Sequence, residues 1–379
     1  MKLLFAPDSF KGSMSSRHVI SLLTTAAKEI FPDCEILSVP MADGGEGTME
    51  VLVEVMKGSF ARHTVTGPSG RPVPARYGMI DEHTAMIEMA EASGLTLISE
   101  EERNPCETSS FGTGELIAHV LKKGYSHIIM AIGGSATNDG GMGAAAALGV
   151  RFLDKRGQEL RPAGKNLAHI HTIDSSHLLP ELSQALITII CDVKNPLTGP
   201  NGSTFVYGPQ KGGTKEQLHS LEEGMIHYAN LIKSQFGKDY SQMEGCGAAG
   251  GISVPFLTFS NARLESGIQT VLNTIRFDDL LSDIDLVVTG EGQTDGQSAY
   301  GKVLAGIGTA CQKKGIPAAA IVGSMGEGAS DIYDYGIQSI MPIINRPMEL
   351  STAMADSDTL FLDAAKRMFR FIQMGMSLK

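Results

Sequence analysis

This sequence has few cysteines, fewer basic than acidic residues and no long apolar run. Its five cysteines are scattered without a C-x-x-C pair, which argues against a disulfide framework or a zinc knuckle and indicates a reducing compartment. Lysine and arginine total 31 against 42 acidic residues. The resulting net charge of −11 argues against binding to nucleic acid or to an anionic membrane, both of which attract basic surfaces. No stretch approaches the ~18 apolar residues of a membrane span, and the N-terminal apolar run is too short for a signal peptide. We therefore expect a soluble cytoplasmic protein.

Glycine is the residue in excess. There are 44 glycines, where an average usage of ~7% would give about 27. They follow apolar segments in short runs without a fixed period, which is typical of loops. With 42% hydrophobic and 19% charged residues the composition is globular. At ~150 residues per domain, 379 residues suggest two domains, or one large domain with an insertion.

Short apolar runs alternate with longer amphipathic stretches, a pattern typical of βαβ units. Strands are predicted near both ends of the chain, at 3–6, 35–39, 285–289, 317–322 and 339–344. Because these runs are apolar throughout, they favour a parallel sheet with helices on both faces. We predict an α/β fold with a doubly wound, Rossmann- or flavodoxin-like domain, mostly parallel, over 1–130 and 283–379. Residues 131–282 are predicted to form an inserted second α/β domain.

Three apolar strands run into loops that contain an Asp-Gly step, at Asp43, Asp139 and Asp295. Each step alone is an ordinary turn dipeptide. Ligands of open α/β sheets bind outside the carboxyl ends of the strands, where such loops emerge. Three such loops, all rich in glycine, hydroxyl and acidic residues, together favour a ligand site.

The central loop is the longest and richest of the three. A glycine-rich turn that opens a helix presents unpaired N–H groups to an anion, so we predict phosphate binding there. The alternative is a plain strand–turn–helix connection with small residues for packing. The candidate residues are Gly133, Gly134, Ser135, Thr137, Asn138, Asp139, Gly140 and Gly141.

Two sequence motifs of nucleotide-binding proteins are incomplete or absent in this chain. Gly296 to Lys302 matches G-x-x-x-x-G-K, but Val303 stands where the magnesium-binding hydroxyl of a Walker A motif should be. Lys302 still lies at a predicted helix start and is a candidate phosphate contact. No G-x-G-x-x-G follows the first strand, which weighs against a nicotinamide enzyme.

Lysines beside small loop residues are candidate partners for a carboxylate or phosphate in so acidic a chain. Lys11 and Lys194 each follow a strand end and lie near an aspartate, which raises them above ordinary surface lysines. Lys211 lies in a third such segment, between glycines.

At these loops the sequence closely resembles the bacterial glycerate kinases that phosphorylate D-glycerate with ATP. The matching strings are A-P-D-S-F-K-G at 6–12, A-D-G-G-E-G-T at 42–48, G-G-S-A-T-N-D-G-G at 133–141, D-V-K-N-P-L at 192–197, G-P-Q-K-G at 208–212 and T-G-E-G at 289–292. The resemblance implies two α/β domains with the active site in the cleft between them, with ATP and Mg²⁺ as co-substrates. It also implies transfer to the 2-hydroxyl of D-glycerate, giving 2-phosphoglycerate and ADP.

Phosphoryl transfer needs positioning and charge stabilisation more than covalent chemistry. On that reading the glycine loop holds the ATP phosphates, and Lys11, Lys194 or Lys302 offsets charge or fixes the glycerate carboxylate. The predicted general base is Asp192, followed by Asp295 and Asp8. The predicted Mg²⁺ ligands are Asp43, Glu46, Asp192 and Asp295. The predicted substrate contacts are Ser9, Asp43, Gly44, Gly45, Glu46 and Lys211.

Two other classes of function remain open on the residues alone. A dinucleotide-dependent hydroxyacid dehydrogenase would share the sheet and the small anionic substrate. A non-catalytic binding protein for a small anion would bind ligand without producing ADP. We expect a small-molecule substrate, and a monomer or a homodimer.

Overall fold

The computed structural model describes residues 1–45, 47–296, 298 and 301–378. The chain divides into two compact units. One, called here the terminal unit, comprises Met1–Val55 and Ser266–Lys379, and the other, the middle unit, comprises Met56–Glu265.

The two units contain three sheets and helices of varied length. Over the described residues the strands are β1 (Lys2–Phe5), β2 (Glu35–Ser38), β3 (Ser59–Thr66), β4 (Pro72–Met79), β5 (Thr84–Glu88), β6 (His127–Ala131), β7 (Arg151–Leu153), β8 (Thr172–Asp174), β9 (Leu186–Ile190), β10 (Asn261–Glu265), β11 (Leu286–Thr294), β12 (Ala318–Met325) and β13 (Ile337–Pro342). The α-helices in the same part of the chain are α1 (Ser16–Ile30), α2 (Thr48–Val55), α3 (Ala90–Ser93), α4 (Phe111–Lys122), α5 (Met142–Ala147), α6 (Pro180–Gln184), α7 (Ser203–Tyr207), α8 (Lys215–Phe236), α9 (Ser253–Phe259), α10 (Gly267–Thr274), α11 (Phe277–Leu280), α12 (Val303–Lys314), α13 (Leu350–Ala355) and α14 (Ser357–Met376). Short 3₁₀ helices lie at Leu95–Leu97, Glu100–Glu102, Gly164–His169, Pro209–Lys211, Ala248–Gly251 and Ala329–Tyr335.

The terminal unit is built on a five-stranded sheet in the order β13-β12-β11-β1-β2, parallel at every pairing. Counted along this unit alone, the order is 5-4-3-1-2, which is the flavodoxin-like arrangement. The register sets Leu4 opposite Val287 on one side and Leu37 on the other. The predicted doubly wound, mostly parallel α/β fold is confirmed in this unit.

Helix α1 shows why the sequence folds as it does beside this sheet. Ser15 caps the helix, and its hydroxyl accepts a hydrogen bond from the His18 backbone N–H at 3.3 Å. Val19 and Leu23 recur at helical spacing and are fully buried. Helix α14 packs beside α1, and its Phe369 ring lies 6.2 Å from that of Phe5 on the first strand. The two helices therefore cover one face of the parallel sheet.

The middle unit carries a mixed six-stranded sheet in the order β10-β9-β6-β5-β4-β3. The first four of these strands are mutually parallel, whereas β4 is antiparallel to both β5 and β3. The hairpin that joins β3 and β4 closes through a bond from the Gly67 N–H to the Arg71 carbonyl at 2.7 Å. The proline- and glycine-rich segment 61–80 therefore forms the edge strand β3, its turn and β4. Strands β7 and β8 form a separate antiparallel pair.

The units of the structure meet at 55/56 and 265/266, whereas the predicted domain boundaries fall at 130/131 and 282/283. The difference arises from the way the strands pair. Strand β5 pairs with β6 from Thr84–His127 to Glu88–Ala131, so the chain from β3 onwards belongs to the middle sheet. At the other end, Gly267 opens α10 within the terminal unit.

Candidate functional site

A cavity of about 980 Å³ opens at the carboxyl end of the parallel sheet in the terminal unit. The loop after β1, the loop after β2 and the end of β11 supply its polar lining. The topological switch point of this sheet lies between β1 and β11, because the connection from β1 leads to β2 on one side while the later strands β11, β12 and β13 follow on the other side. Open α/β sheets bind ligands at such a point. Predicted site residues that line the cavity are Asp8, Ser9, Lys11, Asp43, Gly45 and Lys302.

Asp8 lies where β1 and β11 end side by side. Its backbone N–H donates to the Gly290 carbonyl at 2.9 Å, and its Oδ1 accepts from the Ser9 backbone N–H at 2.6 Å. Burial raises the pKa of Asp8 to about 7, and the charges of Asp43 and Glu291 act in the same direction. A carboxylate whose pKa lies near neutral pH is suited to accept a proton from a substrate.

Glu291 is a cavity residue to which the sequence analysis assigned no role. It is 7% exposed, and its Oε1 accepts a hydrogen bond from the Thr294 hydroxyl at 2.9 Å. Burial raises its pKa, while the hydroxyls of Ser298 and Thr294 and the charge of Lys302 partly oppose that shift. Glu291 belongs to the string T-G-E-G at 289–292, which could have pointed to it. The apolar run predicts a strand that ends at Thr289, whereas β11 continues through Glu291 to Thr294.

Two lysines supply positive charge at the cavity. Lys11 is exposed on the loop between β1 and α1. Lys302 is the residue before α12, so the helix start expected there is present. Both lysines line a cavity that also has three carboxylate residues in its wall, so its lining carries charge of both signs.

Asp43 lies in a tight turn after β2. Its Oδ1 accepts from the Gly45 N–H at 3.1 Å, and the Gly44 N–H donates to the Thr48 hydroxyl at 3.1 Å. A side chain at Gly267 would collide with the Asp43 carbonyl, so glycine is required where α10 approaches this turn. Glu46, predicted as a metal and substrate residue, lies outside the described residues.

The remaining predicted catalytic residues lie elsewhere. Asp192 and Lys194 are exposed on the loop that follows β9 in the middle unit. Asp295 follows β11 directly and is half-buried, with its backbone N–H donating to the Ser298 hydroxyl at 3.3 Å. It is not among the described residues that line the cavity.

The glycine-rich loop of the middle unit is organised around Asp139. This carboxylate is fully buried and accepts from the backbone N–H groups of Ser110, Gly141 and Gly143 at 2.8, 3.1 and 3.2 Å. The Ser110 hydroxyl adds a further bond at 2.8 Å. Burial raises the pKa of Asp139, and these bonds oppose the rise. The N–H groups of Gly141 and Gly143, at the start of α5, are thus bonded to the protein's own carboxylate.

Two further predicted site residues, Lys211 and Asn138, make side-chain hydrogen bonds inside the middle unit. Lys211 is 1% exposed, and its Nζ donates to the Thr137 carbonyl at 2.6 Å. Burial lowers the pKa of Lys211 to about 7, and the charge of Asp139 partly opposes this. The Asn138 amide donates to Thr204 and accepts from Ser203. Ser135 and Gly140 are buried as well, which leaves Gly133 and Gly134 as the exposed predicted phosphate contacts.

Within the part of the chain that the structure describes, no group of three or more histidine, cysteine, aspartate or glutamate side chains could hold a metal ion. A kinase does not require such a group, because Mg²⁺ is commonly held by one or two carboxylates together with substrate phosphates. No helix among the described residues is long and apolar enough to cross a membrane.

A flavodoxin-like sheet with a carboxylate- and lysine-lined cavity at its carboxyl edge defines the class, an α/β protein with a charged cavity at the switch point of a parallel sheet. The chain matches the glycerate kinase family over residues 3–373. It belongs to that family.

Curated relatives span the same length. A glycerate kinase from Halalkalibacterium halodurans is 41% identical over 365 residues, which cover 96% of each chain. A glycerate 2-kinase from Escherichia coli is 39% identical over 377 residues, which cover 99% of each chain. A crystal structure of a protein assigned as glycerate kinase 2, from Salmonella typhimurium LT2, superposes with a TM-score of 0.89 at 39% identity, covering 100% of this chain and 99% of that one.

Proposed function

We propose that this protein is an ATP-dependent kinase that phosphorylates D-glycerate at the 2-hydroxyl, producing 2-phosphoglycerate and ADP. Membership of the glycerate kinase family supports the reaction class, and one relative is named for the 2-position. The observation that carries the chemistry is Asp8, whose pKa is raised to about 7 in a cavity that also contains lysines. ATP as co-substrate and a cytoplasmic location are part of this proposal.

In the proposed mechanism Asp8 accepts the proton of the attacking hydroxyl. Because its pKa is about 7, the Asp8 carboxylate binds a proton more readily than an ordinary aspartate does, and it is still deprotonated above neutral pH. Lys11 fixes the glycerate carboxylate, and Lys302 offsets negative charge that spreads over the transferred phosphoryl group. Ser9 and the Asp43–Gly45 turn contact the substrate hydroxyls. Asp192 and Asp295 are the competing candidates for the base.

The cavity suits a divalent cation by its donor chemistry. The charges of Asp43 and Glu291 each raise the pKa of Asp8, so both carboxylates lie near it. Hard oxygen donors of this kind are the ligands that Mg²⁺ prefers. Asp43 and Glu291 would hold the ion, which would supply charge neutralisation at the phosphates. Glu46, Asp192 and Asp295 remain predicted ligands.

The dehydrogenase alternative is not favoured, because the two curated relatives described above are named as kinases and the first strand lacks the dinucleotide fingerprint. Family membership also weighs against a non-catalytic binding protein. The decisive experiment measures ADP release with D-glycerate, ATP and Mg²⁺, and identifies the product by phosphorus NMR. Glycerate-dependent ADP with a 2-phosphoglycerate signal is expected. A 3-phosphoglycerate signal would overturn the position of transfer, and no ADP above the glycerate-free control would contradict glycerate as the acceptor.

A further inference from the structure

The cavity of the terminal unit is much larger than its acceptor substrate requires. A volume of about 980 Å³ lies at the upper end of the roughly 300–1,000 Å³ that hold drug-sized ligands. Glycerate is a three-carbon acid and would occupy a small part of that space. A second, larger ligand therefore fits the remaining volume.

Part of the lining is apolar and exposed. Ile343 and Ile344 follow β13, and Leu350 and Met354 lie on α13. Leu350 is 74% exposed and Met354 is 39% exposed, whereas Ile344 is half-buried and Ile343 is buried, with 4% of its surface exposed. One exposed leucine has no meaning by itself. Exposed apolar side chains that line a cavity with charged groups elsewhere in its wall are what a ligand with one flat apolar end and one anionic end requires.

The apolar and charged parts of the lining belong to one continuous surface. A β-carbon at Gly12 would lie 3.0 Å from the terminal methyl of Met354, so α13 packs directly against the loop that carries Asp8 and Lys11. Ser357, at the start of α14, lines the same cavity and is 6% exposed. The apolar side chains thus lie next to the predicted reaction centre.

We propose that this cavity binds the nucleotide, with its base on the apolar wall formed by Ile343, Ile344, Leu350 and Met354. The phosphates then extend toward Lys302, next to the glycerate that Lys11 holds in the proposed mechanism. This inference rests on the proposed kinase function and names the place of ATP within it. The glycine-rich loop is the rival place, but the N–H groups at the start of α5 are bonded to Asp139.

The test compares ligands with and without a base. Isothermal titration calorimetry of the full chain, without glycerate, gives the affinities for ATP and for inorganic tripolyphosphate, both with Mg²⁺. Leu350→Ser combined with Met354→Ser should weaken ATP binding about tenfold or more and leave tripolyphosphate binding unchanged, because only the base loses apolar cover. The matched control is Phe371→Ser on α14, which is 63% exposed and is not one of the residues that line the cavity.

A third variant tests the rival place. Gly133→Asp sets a carboxylate on the exposed end of the glycine-rich loop, where an added β-carbon meets no atom within 4 Å. ATP affinity that falls only in this variant overturns the inference, as does an unchanged affinity in the double serine variant. Wild-type protein that binds ATP through the apolar wall yet releases no glycerate-dependent ADP would overturn the proposed function and leave the inference standing.

Discussion

Replacing Lys211 by methionine is expected to change how the free energy of unfolding depends on pH. The Lys211 ammonium is buried in the middle unit with one hydrogen bond, to the Thr137 carbonyl. Burial lowers its pKa from 10.5 to about 7. Methionine has a similar length and no charge, so it fills the space while removing the titration.

The sign follows from proton counting. Between about pH 7 and 10.5 the unfolded chain keeps the proton of Lys211 while the folded chain has released it. Because the unfolded state binds more protons in this window, the contribution of Lys211 to the free energy of unfolding rises with pH. The slope is at most about 1.4 kcal/mol per pH unit, so the gain from pH 7 to pH 9 is roughly 2–3 kcal/mol.

The assay is urea unfolding followed by far-ultraviolet circular dichroism, since the chain contains no tryptophan. The difference between wild type and Lys211→Met should grow by that amount from pH 7 to pH 9. Loss of the bond to Thr137 adds an offset of about 1–3 kcal/mol that is constant with pH. Lys215→Met, at an exposed position four residues along, is the control and should run parallel to wild type. Parallel curves for wild type and Lys211→Met would refute the reasoning.

Three further predictions concern the reaction and the fold. Asp8→Asn should lower kcat about 10²–10⁴-fold and remove an acidic limb near pH 7 from the pH–rate profile, because a protonated Asp8 cannot act as base. Asp192→Asn is the matched comparison, and a larger loss there would return the role of base to Asp192. Ser110→Ala should cost about 1–3 kcal/mol, because the buried Asp139 carboxylate loses its hydroxyl donor; an unchanged thermal midpoint would contradict this. Ser15→Ala should cost about 1 kcal/mol through loss of the α1 cap, and unchanged urea unfolding would count against that role.

Much of the terminal unit could be predicted from the sequence because its strands are short, apolar runs between helical patterns. The run predicted at 35–39 is β2, and α1 lies between a capping serine, Ser15, and a proline, Pro32, which are typical of helix ends. Strand β11 is longer than its apolar run, since pairing with β12 continues to Thr294 opposite Met325. Pairing of polar residues at a strand end leaves no hydrophobic signal, so Glu291 was not recognised as a strand residue.

The boundaries between the two units depend on which strands pair with each other, and no local sequence pattern shows that. Strand β5 is a five-residue run, T-A-M-I-E, and nothing local to it indicates that its partner is β6, some forty residues further on. Sequence patterns give the faces of a strand but not its neighbour. The sequence pattern therefore places the segment 56–130 in the first domain, whereas the structure groups it with the middle unit.

At the candidate site, the rule that ligands gather at strand ends favours Asp43 and Lys11, and both line one cavity with Asp8. A different criterion, a lysine beside small loop residues, selects Lys211. Its burial depends on the fold of the Thr137 loop above it, which no local pattern encodes.

The parallel pairing of β1 with β11 has a consequence for how the chain folds. The Thr289 hydroxyl donates to the Ala6 carbonyl across 283 positions of sequence, and the whole middle unit lies between them. During synthesis β1 can meet β2 early, but its other neighbour does not exist until residue 286 has been made. Closing so long a loop is slow when the intervening chain is disordered, and it becomes easier once the middle unit has folded by itself. The strand that ends at Asp8 is therefore completed late, so the candidate catalytic centre is among the last parts of the molecule to form.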